Sequence, residues 1–183
     1  RDPVILAPMS GVTDFPFRRL VKRLGAGLVV SEMIASQSMI RQTRQSLKMA
    51  ESALDEQPMA VQLAGCEPDV MAEAARLNED RGAALIDINF GCPAKLVNRH
   101  DGGASLLRQP DRVYKAVKAV HDALEGQIPV TAKIRLGFAN RRLAVSCGQA
   151  TEAGGAAQLV VHARTRDEGY RPPAHWEWIG KIR

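Results

Sequence analysis

The sequence predicts an α/β fold, a TIM-type (β/α)8 barrel here truncated to about six βα units, on three observations. Strand-like apolar runs alternate with helical patterns along all 183 residues without a linker. The runs are mostly continuous rather than alternating, as parallel strands covered on both faces are. The rival architecture, a doubly wound open sheet, would carry a Gly-rich fingerprint after its first strand, which Met9-Ser10-Gly11-Val12 does not supply. A complete barrel needs eight strands and roughly 250 residues. The strands legible here stop short of seven and eight, and the blunt ends Arg1 and Arg183 predict a segment excised from a longer chain.

Arg1-Asp2-Pro3 lead directly into a first strand, Val4 to Pro8. Thr13-Asp14 cap a helix with Pro16 in its first turn, an apolar stripe at Phe17, Leu20, Val21 and Leu24, and a stop at Gly25. Leu28 to Val30 form a second strand, and a polar stretch from Ser36 to Ala53 reads as one helix. Met59 to Leu63 form the third strand, followed by a helix from Pro68 to Arg81 closed by Gly82. Leu85 to Asn89 are the fourth strand. A helix from Pro110 places Val113, Val117, Val120 and Leu124 on one face. Pro129 introduces the fifth strand, Val130 to Ile134. After a helix over Leu143 to Ala153, Gly154-Gly155 lead to the sixth strand, Gln158 to His162. A last helix starts near Trp176, and both tryptophans, Trp176 and Trp178, are expected to pack.

Composition narrows the class. Hydrophobic content of 45% with 25% charged residues is ordinary for a globular protein. The apolar runs fall far short of the ~20 residues that span a bilayer and no secretory leader is visible, so no membrane partner is expected, and three cysteines without a disulfide pattern fit a reducing cytoplasmic compartment. Cys66, Cys92 and Cys147 have no short ligand-type spacing, arguing against a disulfide framework and a metal site. Cys66 and Cys147 read as structural. Net charge is +5 with pI near 9.4, compatible with a polyanionic partner, although the cations are spread along the chain.

The chemistry is expected where strands end. Gly91-Cys92-Pro93 holds a thiol at the carboxyl end of the fourth strand, the end where α/β folds bind ligands. Gln62, Asn89, Lys133, Arg135 and His162 occupy the same end of successive strands. Apolar strands rarely spend positions on such residues without a partner, because an unpaired buried polar group costs about 1–3 kcal/mol. Singly, each has a structural alternative: Cys92 as a buried small hydrophobe, Lys133 as a barrel-interior ion pair, Gln62 as a satisfied core amide, His162 as a loop anchor. Together they suggest a flat, polar, electron-accepting ligand.

These residues resemble the tRNA-dihydrouridine synthases over essentially the whole chain. The resemblance rests on Ala7-Pro8-Met9 with Gly11 to Asp14, Val61-Gln62-Leu63, Asp87 to Pro93 with Gly103 to Leu107, Lys133-Ile134-Arg135, and His162 to Arg166. It implies FMN-dependent reduction of tRNA uridine to 5,6-dihydrouridine with NADPH as reductant. In that scheme hydride passes from flavin N5 to uracil C6, and Cys92 gives a proton to C5. Pro8, Met9, Ser10, Gln62, Lys133 and His162 would contact FMN. Asn89, Lys95 and Arg135 would lie by the substrate, with Arg164 and Arg166 as phosphate or flavin neighbours. The role asks for a thiol that keeps its proton until it donates. The resemblance also implies a tRNA-binding helical domain and a flavin-phosphate site beyond this segment, and a monomeric full-length protein. B-type features dominate the first two thirds and C-type features the end. Another FMN-barrel reductase of a small pyrimidine, or a non-catalytic tRNA-binding fragment, are the alternatives.

Overall fold

The computed structural model describes residues 4–183; Arg1-Asp2-Pro3, expected to lead into the first strand, lie outside them. The elements in order are β1 (Ile5–Leu6), α1 (Phe15–Arg23), β2 (Leu28–Val30), β3 (Ile34–Ala35), α2 (Ser36–Ile40), α3 (Arg44–Met49), a 3-10 turn (Leu54–Glu56), β4 (Met59–Ala64), α4 (Pro68–Asp80) and β5 (Leu85–Phe90). There follow α5 (Lys95–Arg99), a 3-10 segment (Gly103–Arg108), α6 (Pro110–Ala123), β6 (Val130–Arg135), α7 (Ala144–Ala153), β7 (Gln158–His162) and α8 (Glu177–Ile182). The strands run parallel in the order β1-β2-β4-β5-β6-β7, with β3 alongside the end of β4. Residues of β1, β2, β4, β5, β6 and β7 line one cavity of about 170 Å³. A sheet whose first and last strands share a cavity is curled, so the architecture is a half-barrel, the expected truncated (β/α)8 form.

The convex face carries the core. Val61, Leu63, Ile86, Ile88, Phe90, Ala132 and Ile134 pack under Met71, Ala74 and Ala75 of α4 and Val113, Val117 and Val120 of α6. Alternate residues of the same strands, Gln62, Asp87, Asn89, Thr131, Lys133 and Arg135, therefore belong to the concave face. Register aligns them: Gln62 is opposite Asp87, Asp87 opposite Thr131, Asn89 opposite Lys133, and Arg135 opposite His162.

Two segments differ from the sequence expectation. The helix expected over Ser36 to Ala53 is two short helices, because Gln42 turns into the left-handed region (φ 47°) and Thr43 starts afresh, its hydroxyl accepting from Ser46 N. The second strand continues as β3 after an interruption at Ser31, whose hydroxyl accepts from Gln62 N in place of a ladder carbonyl. Of the two tryptophans, Trp178 packs on Leu136, Ala144 and Ala163 with Ile182, while Trp176 is 70% exposed, so the packing expectation fails for Trp176. It stands at the N-cap of α8, with no buried face to occupy.

Elsewhere the caps are those expected. Asp14 caps α1, its carboxylate accepting from Phe17 N, and Gly25 and Gly82 follow α1 and α4 at positive φ. Arg18, fully buried on α1, pairs with buried Glu56 at 3.1 Å and donates to Thr13 O and Glu51 O, clamping α1 to the chain before β4.

Candidate active site

At the carboxyl ends of the strands lies a cleft of about 460 Å³, within the range of ordinary cofactor sites (roughly 300–1,000 Å³). Its walls include Pro8, Met9, Ser10, Gln62, Asn89, Cys92, Lys133, Arg135 and His162, so the structure brings together every expected site residue except Lys95, Arg164 and Arg166. Lys95 opens α5 and is exposed, outside that lining. Arg164 and Arg166 also stand outside the lining; Arg164 touches it through His162, whereas Arg166 lies over the Phe138 ring.

The loop after β1 presents Pro8, Met9 and Ser10 because Thr13 staples it. The Thr13 hydroxyl donates to Met9 O and accepts from Met9 N, and Gly11 N donates to Glu32 beyond β2.

Cys92 is half-buried, and its backbone is tied on three sides. Its N–H donates to Asn89 Oδ1 at 2.8 Å, alongside Gly91 N at 3.0 Å, and its carbonyl accepts from Asn98 Nδ2 at 2.9 Å and Ala104 N at 3.2 Å. Gly103, at φ 57°, passes directly beneath it: a β-carbon there would meet Cys92 O at 2.9 Å and Cys92 Cβ at 3.1 Å. Arg135, itself buried, fixes the preceding turn by donating to Gly91 O at 2.9 Å and reaches across to Thr165 O and Gly169 O.

The floor is a polar relay. Thr131 Oγ1 and Gln62 Nε2 each donate to one oxygen of buried Asp87 at 2.6 Å, and Gln62 Oε1 accepts from Asn89 Nδ2 at 2.8 Å. Much of the Gln62 amide is thereby engaged, with one N–H and one lone pair left over. Burial pushes the Asp87 carboxyl up, opposed by the bonds from Thr131 and Gln62 and by the Lys133 charge. Lys133 lies between floor and cleft and has no ion-pair partner among the described residues; the barrel-interior ion pair is not formed. Burial lowers its affinity for the proton, with Asp87 opposing and Arg135 adding to the drop.

His162 is pushed down to about 4 by burial and by the Arg135, Lys133 and Arg164 charges, so the ring is neutral near pH 7. Arg164 Nη1 lies 3.1 Å from His162 Nε2; guanidinium only donates, which makes Nε2 the acceptor and leaves the proton on Nδ1. The cleft is thus cationic and can attract an anionic ligand.

Sequence reasoning missed Met33 and Tyr170, which also line the cleft. Tyr170 stands 5.8 Å from the His162 ring and 5.3 Å from the Arg135 guanidinium, on a loop pinned by Glu168. That carboxylate accepts from Thr165 N and pairs with Arg141 and His175. The sequence holds a signal for Tyr170 only in the block Glu168-Gly169-Tyr170. The structural reading of Cys147 holds, buried beside Leu107 O with its thiol raised to about 11; Cys66 is half-buried against Glu67. Among the described residues no His/Cys/Asp/Glu group could hold a metal, and no helix is long and apolar enough to cross a membrane.

The family model described as "Dihydrouridine synthase (Dus)" matches residues 5–183. A "Probable tRNA-dihydrouridine synthase" of Rickettsia bellii is 50% identical over 98% of this chain and 55% of its own length. A "tRNA-dihydrouridine synthase B" of Xanthomonas campestris is 48% identical (98% and 54%), and a "tRNA-dihydrouridine(16) synthase" of Ralstonia nicotianae is 42% identical (98% and 57%). The chain spans about half the length of these relatives. Among solved structures, a Burkholderia cenocepacia protein named as a phosphonomutase superposes with TM-score 0.59 at 19% identity, covering 87% of this chain and 68% of that one, a likeness of fold alone. Family match and close relatives agree: the chain belongs to the dihydrouridine synthase family.

Proposed function

We propose that this chain carries the catalytic centre for FMN-dependent reduction of uridine to 5,6-dihydrouridine in tRNA, in the cytoplasm, with NADPH as reductant and Cys92 as proton donor. The observation that carries the reading is the placement of Cys92: a thiol tied by its backbone, opening on a cationic cleft beside Asn89 and Lys133.

The residues fit FMN. Lys133 is a partly buried cation without an ion-pair partner among the described residues, suited to the negative charge that a reduced isoalloxazine carries at its N1–O2 edge. Pro8, Met9 and Ser10 offer backbone and side-chain contacts, Gln62 its remaining N–H and lone pair, and His162 a donor at Nδ1. Reduced by NADPH, FMN would supply the hydride that uracil C6 accepts. Cys92 holds the proton until C5 needs it and delivers it there; Asn89 and Gly103 set the thiol's position, and Arg135 braces the turn behind it. Asn89 retains one amide N–H for a uracil carbonyl. Lys95 would meet tRNA outside the cleft. The full-length protein is proposed to act as a monomer on tRNA.

The test is to map dihydrouridine in tRNA from a strain lacking the complete gene. Loss of the modification at a defined position, restored by the gene, supports the reading. Unchanged dihydrouridine, or turnover of a small pyrimidine without tRNA, overturns it.

A further inference from the structure

The concave face holds a carboxyl group that the proposed chemistry does not use. Asp87 sits in the middle of β5, buried to 6% exposure, one layer below the Asn89–Lys133 pair. A buried carboxyl is costly unless it is fully bonded, and here each oxygen accepts one short bond, from Thr131 Oγ1 and from Gln62 Nε2. The consequence lies in the direction of those bonds. Both Asp87 oxygens accept here, so the Gln62 amide turns its NH2 toward Asp87 and its oxygen toward Asn89. Asn89 must then turn its NH2 toward Gln62, which leaves its oxygen for Gly91 N and Cys92 N. The order of donors and acceptors runs without conflict from Asp87 to the thiol-bearing turn.

We infer that Asp87 is a positioning residue: through Gln62 and Asn89 it fixes the amide orientations that hold the Cys92 turn over the cleft. Asp87 does not line that cleft; beside the relay it bears on the site through its charge on Lys133, a route that Asp87→Asn removes while keeping the relay. Without the carboxyl, either amide can flip. A flipped Asn89 would point its NH2 at two N–H donors, and the turn would lose both bonds. Asp87→Asn keeps an acceptor of the same shape for Gln62, and Thr131 can reverse its hydroxyl to accept, so the relay survives without the charge. Asp87→Ala removes the acceptor.

The inference rests on Cys92 being the proton donor, and the test separates the two. Asp87→Ala, Asp87→Asn and Cys92→Ala are compared in the FMN-loaded full-length protein for NADPH consumption and for dihydrouridine formation. In the apoprotein, the rate at which iodoacetamide alkylates Cys92 is read by peptide mass. Asp87→Ala is expected to lose about tenfold to a hundredfold in dihydrouridine formation, the usual effect of a misplaced reacting group. NADPH reduction of the cofactor should change little, Cys92 alkylation should shift several-fold, and Asp87→Asn should restore both readouts. Wild-type alkylation and activity in Asp87→Ala, or an Asp87→Asn as impaired as Asp87→Ala, would overturn the relay. If Cys92→Ala alone keeps full activity, the proton-donor assignment fails instead, and the inference with it. Should Asp87→Ala not accumulate in folded form, Gln62→Met cuts the relay at its middle link and carries the same alkylation expectation.

Discussion

Gly103→Ala is the sharpest test of how the thiol is held. Gly103 adopts φ 57°, where an L-residue with a β-carbon costs about 1–2 kcal/mol. The added methyl would also meet Cys92 O at 2.9 Å, Cys92 Cβ at 3.1 Å and Val97 Cγ1 at 3.1 Å. The first two are the backbone and stem of the residue under test, which cannot yield without moving the thiol. Overpacking of this kind typically costs about 1–3 kcal/mol. A combined loss of about 2–5 kcal/mol follows, read by urea unfolding, with a fall in Tm of roughly 4–20 °C for a domain of this size. Dihydrouridine formation should fall about tenfold or more in the protein that remains folded, because the clash is relieved only by displacing Cys92. Stability within 0.5 kcal/mol of wild type, with unchanged activity, would refute the placement of Gly103 under the thiol.

Other expectations follow from the same geometry. Glu56→Ala leaves Arg18 buried and unpaired, which should cost about 3–5 kcal/mol in chemical denaturation; a loss below about 1 kcal/mol would contradict the clamp between α1 and the chain before β4. His162 binds its proton less tightly folded (about 4) than unfolded (6.5), so between those values the unfolded chain holds more protons. Its contribution to stability is therefore present above about pH 6.5 and is lost as pH falls toward 4. His162→Gln should flatten the stability profile in that window; an unchanged slope would show that His162 is not the group responsible.

How much was legible in the sequence follows from what local pattern can carry. Asn89, Lys133 and Arg135 could be found because polar residues interrupt strands at a period of two, and the ends of parallel strands converge. Gln62 was found for the same reason. That most of its amide is spent on Asp87 and Asn89 depends on register between strands, which no single strand reports. Asp87 entered as part of a motif, and its function as an anchor appears only when β4, β5 and β6 are side by side. Met33 escaped because the interruption at Ser31 follows from a hydroxyl replacing a backbone acceptor. Tyr170 escaped because its place is set by a loop folded around Glu168 and Arg135, contacts made across 27 to 34 residues. The break at Gln42 turns on one left-handed residue inside an otherwise helical composition.

The central claim, that Cys92 donates the proton, is tested most directly by Cys92→Ala in the full-length protein. Absorbance of bound FMN is followed first on adding NADPH and then on adding unmodified tRNA. The account predicts that NADPH bleaches the cofactor at close to the wild-type rate. Return of the colour with tRNA, and with it dihydrouridine, should be slowed by the roughly 10²–10⁴-fold that a general acid contributes. Dihydrouridine formed at the wild-type rate by Cys92→Ala would contradict it.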